Sequence, residues 1–234
     1  MARDDDAASR PLPPDLPVST FASSHRYFQS HPWTSSLLSA PSLCLHLPSS
    51  RHPKRSTEDS LFALTLSSPR TISHILAFHP LPARDAAHIT ECTTLVALGH
   101  DLNGFPHVLH GGIVATLLDE AMGVLLNVDA DRSHFREVAE GKKEGEWAEG
   151  LELMTSQLDT RFLKPVETPG IVAVRVRTEA REGRKVRLVG EVVQWRNRRS
   201  QGDGMGWSYG MGEGEEVVCA RATGEFVRPR GSRL

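Results

Sequence analysis

Residues 112 to about 127 run Gly-Ile-Val-Ala-Thr-Leu-Leu-Asp-Glu-Ala-Met-Gly-Val-Leu-Leu-Asn, the chain's longest convincing helix and the feature that most restricts what it can fold into. A helix that is apolar all round must be buried on all sides, so the remaining chain has to wrap it. A stretch of this length is too short to span a bilayer. Asp119 and Glu120 interrupt the apolar surface near its middle. A carboxylate in such a place must be paired, hydrogen-bonded or put to use.

Three- and four-residue steps place Gly112, Ala115, Thr116, Met122 and Gly123 beside Asp119, most of them small. Such a stripe admits a second backbone or a thin ligand. Gly111 and Gly112 at the helix start present N–H groups that favour a developing negative charge, as an acyl-transfer site requires. Asp119 lies seven residues beyond Gly112, roughly 10 Å along the axis at 1.5 Å per residue, too far for both to touch one carbonyl group. A second copy of the helix would close that distance.

His110-Gly111-Gly112, followed by Asp119 nine residues after His110, resembles the hotdog-fold acyl thioesterases of the phenylacetic-acid-degradation and thioesterase-superfamily type. The segment Met154 to Pro165 (MTSQLDTRFLKP) resembles that family's strand after the helix. The resemblance covers roughly residues 58 to 228. It implies an α+β hotdog fold, an antiparallel sheet around one long helix, with two subunits pairing so that the site forms between them. It further implies Asp119 as general base or nucleophile, Gly111 or Gly112 as the oxyanion N–H, and Thr155 as the hydroxyl that helps hold the attacking water. Many relatives carry Asn or Gln six residues before the His to grip the thioester carbonyl; here Gly104 stands there, with Asn103 one position off.

Among 234 residues, 39% hydrophobic and 24% charged is ordinary globular composition, enough for one well-buried domain plus an extension. The net charge of −2 gives no overall pull toward nucleic acid, and no apolar run reaches membrane-helix length. The start Met-Ala-Arg-Asp-Asp-Asp fits neither a secretory signal nor an Arg-rich transit peptide. Cys44, Cys92 and Cys219 are odd in number and far apart, which points to reduced thiols and a cytoplasmic location.

Residues 1–57 are rich in Pro, Ser and His and are expected to be loop or disordered arm, except for a short surface-docked helix between Val18 and Trp33. The domain is expected over 58–228, with 229–234 as a tail. Its strands are expected at Leu61–Leu66 and Thr71–Phe78 around a turn, Thr90–Leu98, Glu152–Leu163, Ile171–Arg177, Lys185–Trp195 and Val217–Val227. Gly99–Pro106 reads as a loop delivering His110, residues 129–150 as a solvated connection, and Gln201–Gly214 as a Gly-rich loop.

Other signals have blander readings. His110, ahead of two glycines, serves either as a general acid or, the preferred reading, as a hydrogen-bonder fixing the turn. His100, His107 and His110 match no strong zinc spacing, so no metal is expected. Glu120 points about 100° away from Asp119 on a helix, and is expected to meet Arg161, Lys164 or a subunit neighbour. Gly206-Trp207-Ser208-Tyr209-Gly210 fits the G-x-S-x-G pattern but lacks the flanking strand and helix and any later His. Arg175, Arg177, Arg181, Arg184, Lys185, Arg187, Arg196, Arg198 and Arg199 suit a solvated sheet face, or alternatively a landing site for coenzyme A phosphates or an acidic acyl carrier protein.

The combined expectation is hydrolysis of acyl-CoA or acyl-carrier-protein thioesters by a homodimer or dimer of dimers, with no cofactor or metal. Asp119 either activates water or attacks directly to form an anhydride. A non-catalytic acyl- or partner-binding hotdog protein is the second reading, favoured by Gly104 at the clamp position. A hydratase or dehydratase is the third and least supported, since it needs a His/Asp or His/Glu pair bracketing the substrate's α and β carbons and the residues around Asp119 show no such pairing.

Overall fold

The computed structural model describes residues 19–144, 153–197 and 214–230. Two short helices come first, α1 (Phe21–Gln29) and α2 (Pro32–Leu38), and then strand β1 (Leu43–His46), a 3-10 turn at Ser49–Arg51 and a π-helical turn at Leu61–Thr65. Strands β2 (Ile72–Pro80) and β3 (Glu91–Leu98) and the small hairpin β4 (Asn103–Phe105) and β5 (Val108–Leu109) lead into α3 (Gly111–Ala139). After it run β6 (Met154–Phe162), β7 (Gly170–Glu182), β8 (Lys185–Asn197) and β9 (Gly214–Val227).

Seven strands form one sheet in the order β1-β2-β3-β7-β8-β9-β6, every described pair antiparallel. Alternation along β7 decides what each face does. Val172, Val174 and Val176 join Val114, Leu117, Leu118, Ala121, Met122 and Leu125 of α3 in the main core. Ile171 and Ala173, on the opposite face, pack in a second core with Phe28 of α1, Leu76, Phe78 and Leu95. The sheet thus holds α3 on its inner face and is partly capped by α1 and α2 on its outer face. Gly190 lets the helix come close: a Cβ there would lie 3.2 Å from both Leu118 Cδ2 and Met122 Cε. This is the α+β hotdog arrangement expected from the sequence.

Four expectations need correction. Leu61–Thr65 is a π-helical turn rather than a strand, because the buried Arg51 guanidinium takes its carbonyls: Nη1 donates to Phe62 O at 2.8 Å and Leu66 O at 3.2 Å. Residues 43–46, expected as loop, instead pair with β2 through Leu43↔Pro80 to His46↔Ala77. The single expected helix near Val18–Trp33 is two helices, broken before Pro32, which sits in the first turn of α2.

The fourth concerns α3, which spans 29 residues and continues through 129–139. There Asp129, Arg132 and Arg136 form one polar helical face that clasps residues 83–89. Arg132 Nη2 donates to Ala83 O at 2.9 Å and Ala86 O at 2.8 Å, and Arg136 Nη1 reaches Ala86 O at 3.3 Å. At this length α3 is long and apolar enough, by composition, to cross a membrane, yet here it packs against β3, β6, β7, β8 and β9. Nor is it buried all round: Gly111 and Gly112 are exposed, and Ala115, Thr116, Asp119 and Gly123 are half-buried. The expected loop at 201–214, with Gly206–Gly210, and residues 145–152 fall almost wholly outside the described residues.

Candidate active site

The β4–β5 hairpin delivers the start of α3. Leu109 N–H donates to Val166 O at 2.9 Å, His110 N–H to Leu102 O at 2.9 Å, and Thr168 N–H to His107 O at 3.1 Å, fixing the hairpin to the strand-connecting segment 165–169. His110 is the N-cap of α3, and its Nδ1 accepts the Gly112 N–H at 3.0 Å. The imidazole therefore fixes the turn, and that bond occupies the Gly112 donor. Gly111, at the first helical position, has an N–H with no intrahelical acceptor. The ring of exposed Phe162 lies over it, 3.5 Å from where a Cβ would stand.

Asp119 lies two turns along α3. Its Oδ1 accepts the Thr155 hydroxyl at 2.8 Å. A β-bulge in β6 between Thr155 and Gln157 sets this geometry, bringing Thr155 opposite Phe226 on the face that looks at α3. The structure thus brings together Asp119 and Thr155, and separately His110, Gly111 and Gly112, with the expected axial gap between the two groups. Both groups open onto the same side of α3, beside β6, which is an edge strand.

At Gly104, where many relatives carry the Asn or Gln clamp, a side chain would crowd His110. A Cβ at Gly104 would stand 3.1 Å from His110 Cδ2 and 3.2 Å from His110 Cα. Neighbouring Asn103 is turned away, its Oδ1 accepting the Thr168 hydroxyl.

Glu120 corrects another expectation. It meets neither Arg161 nor Lys164; its Oε1 accepts the hydroxyl of buried Ser50. Burial pushes its carboxyl up to about 7, with Asp59 and Asp119 adding to the rise and the Ser50 hydrogen bond and Arg51 opposing it. Ser50 and Arg51 are the neighbours that sequence reasoning missed, since Ser49-Ser50-Arg51-His52-Pro53 carries only a loop signal.

Most of the basic cluster is engaged elsewhere. Arg175 binds Glu216 through two hydrogen bonds at 2.7 and 2.8 Å, Glu216 also accepts from Trp33 of α2 at 2.9 Å, and Lys185 pairs with Glu225 at 2.7 Å. Arg175 and Arg177 alternate with the core-facing valines and so lie across the sheet from Asp119. Arg198 and Arg199 are outside the described residues. Among the described residues no group of three or more His, Cys, Asp and Glu is placed to hold a metal ion. The three cysteines are free thiols, Cys92 pushed up to about 12 by burial.

Residues 107–200 match the family model described as the thioesterase superfamily. The chain is similar to verlamelin biosynthesis protein B of a Lecanicillium species, 30% identical over 134 residues, 51% of this chain and 58% of that protein. It spans a little over half the length of the curated relatives it matches. Among solved structures it is similar to the Escherichia coli PaaI protein from the phenylacetic acid degradation operon, at 13% identity and TM-score 0.40, covering 61% of this chain and 75% of that one. It is also similar to a hypothetical thioesterase of Streptococcus pneumoniae solved with coenzyme A, at 13% identity and TM-score 0.40, covering 64% and 89%. The thioesterase-superfamily match over residues 107–200 thus falls on the long helix α3 and on strands β6 to β8 of the antiparallel sheet.

Proposed function

We propose that the protein hydrolyses acyl thioesters of coenzyme A or of an acyl carrier protein, and that Asp119 is its catalytic carboxylate. The observation that carries this reading is the Thr155 hydroxyl donating to Asp119 at 2.8 Å. That contact orients a carboxylate on a half-open helix face where a water can be held beside the paired side chains, against the free Asp119 oxygen. Asp119 takes the proton of that water as its oxygen attacks the thioester carbonyl carbon; collapse of the tetrahedral intermediate expels the thiolate. The Gly111 N–H, reinforced by the helix dipole, holds the oxyanion. His110 keeps the turn in place.

Gly111 and Asp119 are eight residues, about 12 Å, apart along one helix, so the working site is a homodimer, Gly111 of one copy facing Asp119 of the other. Supporting this pairing, β6 is an edge strand exposed along most of its length, and Met154, Phe162 and Leu163 on and just after it are exposed apolar side chains.

Thiol release from short, long and aromatic acyl-CoAs, measured for wild type and Asp119→Asn in parallel, tests the proposal. Hydrolysis that the substitution removes is the expected result. Undiminished turnover in Asp119→Asn would overturn the role of Asp119. If no acyl-CoA is cleaved, the same assay with acylated carrier protein follows, and silence there as well overturns hydrolysis in favour of a non-catalytic acyl-binding protein. That second reading draws on the Gly104 position, which leaves the carbonyl without a side-chain clamp.

A further inference from the structure

We propose that Gln194 is a positioning residue for the hydrolysis: through the segment 165–169 and the β4–β5 hairpin it sets where the first turn of α3 presents the Gly111 N–H. The proposal rests on the oxyanion role given to that N–H above.

Gln194 is an amide in apolar company. It is 4% exposed, and its register partners on either side, Val172 of β7 and Val217 of β9, both belong to the core around α3. A buried amide has to find partners for both of its ends. Gln194 finds them on one residue: its Oε1 accepts the Glu167 N–H at 2.8 Å and its Nε2 donates to Glu167 O at 2.8 Å. The side chain thus pairs with the Glu167 backbone as a neighbouring strand would, fixing both its place and its orientation. Gly170 leaves the space for this pair, since a Cβ there would stand 2.8 Å from Glu167 O and 2.9 Å from Gln194 Nε2.

The residues on both sides of Glu167 grip the hairpin. Val166 O accepts the Leu109 N–H at 2.9 Å, and the Thr168 N–H donates to His107 O at 3.1 Å. The hydroxyl of Thr168, a fully buried residue, donates to Asn103 Oδ1, and Glu167 itself bridges to Val108. The hairpin runs directly into His110, whose Nδ1 accepts the Gly112 N–H at 3.0 Å. The path from β8 to the start of α3 is therefore continuous in hydrogen bonds and short lengths of backbone. At its end the tolerance is small, because a misplacement of about 1 Å can cost roughly a hundredfold in rate.

Gln194→Met keeps the size of the side chain and removes both bonds to Glu167, whereas Thr168→Val removes only the bond to Asn103. Arg181→Ala, at the far end of α3, controls for lost stability without a change in this path. Two quantities are read in the folded full chain. One is the Gly112 amide signal in proton–nitrogen spectra of glycine-labelled protein, which reports the bond to His110. The other is kcat and KM for the acyl-CoA or acyl-carrier-protein thioester that wild type cleaves fastest.

Gln194→Met is expected to move the Gly112 signal upfield and to lower kcat by about tenfold to a hundredfold with KM within about twofold. Thr168→Val is expected to move both in the same direction, and Thr168→Ser to restore them. A Gly112 signal that shifts no more in Gln194→Met than in Arg181→Ala, or a shifted signal with kcat unchanged, overturns the proposal. Should Gln194→Met not fold, the Thr168 pair decides: Thr168→Val indistinguishable from Thr168→Ser overturns it. A wild type that cleaves no thioester ends the oxyanion reading and this proposal with it, and is seen before any variant is compared. An active wild type with unaffected variants ends this proposal alone.

Discussion

Thr155 and Asp119, 36 residues apart in the chain, are joined by a 2.8 Å hydrogen bond from the hydroxyl to the carboxylate. It is made possible by the bulge between Thr155 and Gln157 in β6, which turns Thr155 onto the helix-facing side. A regular strand would carry Thr155 and Gln157 on the same face, because the side-chain period is two.

Replacing Thr155 by Val keeps the shape and removes the donor. A hydrogen bond to a charged group contributes about 1.5–3 kcal/mol, so kcat is expected to fall roughly tenfold to a hundredfold. Thr155→Ser should stay close to wild type. Steady-state hydrolysis by the two variants separates the cases; equal rates in both would mean that the hydroxyl plays no part in the chemistry.

Gly104 occupies the position where a carbonyl-gripping amide would be introduced by analogy. A side chain there meets His110 at 3.1–3.2 Å, on the residue that caps α3. Gly104→Asn is therefore expected to destabilise the fold by about 1–3 kcal/mol, as overpacking does, and to lower turnover rather than raise it. Thermal unfolding and kcat/KM measured together test this. A variant that is as stable as wild type and faster shows the hairpin able to shift and the clamp able to form.

Asp129 anchors the far half of α3. Its buried carboxylate accepts from Arg181 at 2.6 Å, from the Ile89 N–H at 2.8 Å, and sits 3.1 Å from His88 Nδ1. Arg181 itself is exposed, so losing this charge-assisted hydrogen bond costs about 1.5–3 kcal/mol. Asp129→Ala should lower the urea midpoint accordingly, and Arg181→Ala should do nearly as much by leaving the carboxylate without its guanidinium. Because both changes break one network, the double variant is expected to cost clearly less than their sum.

How much of this the sequence revealed depends on whether the signal was local. The helix, the strands from β6 to β9 and the pairing of His110 with the start of α3 follow from periodicity and capping chemistry over a few residues. The role of Asp129 was masked because Asp129, Arg132 and Arg136 read as a charge-rich connection, although their spacing of three and four is that of one helical face. Ser50 and Arg51 gave no signal at all. Their partners, Glu120 and the carbonyls of Phe62, Leu66 and Ile72, are assigned to them only by the packing of distant segments.

His46 supplies an acid-side counterpart to Glu120. Its Nε2 is buried without a hydrogen-bond partner, and burial, with His79 nearby, holds its pKa down to about 4 against an ordinary 6.5. The unfolded chain therefore takes up this proton first. Stability from neutral His46 is complete above pH 6.5 and is lost as pH falls toward 4, by at most about 3 kcal/mol. Glu120 acts in the opposite sense, since its raised pKa makes stability fall as pH climbs from 4.5 to about 7. Between pH 4.5 and 6.5 the two slopes offset each other in the wild type. His46→Phe is expected to unmask the Glu120 slope, with stability falling as pH rises, whereas Glu120→Gln should unmask the His46 slope, with stability rising. Urea midpoints across this interval decide the matter, and a His46→Phe profile parallel to wild type would show that the imidazole stays solvated when charged.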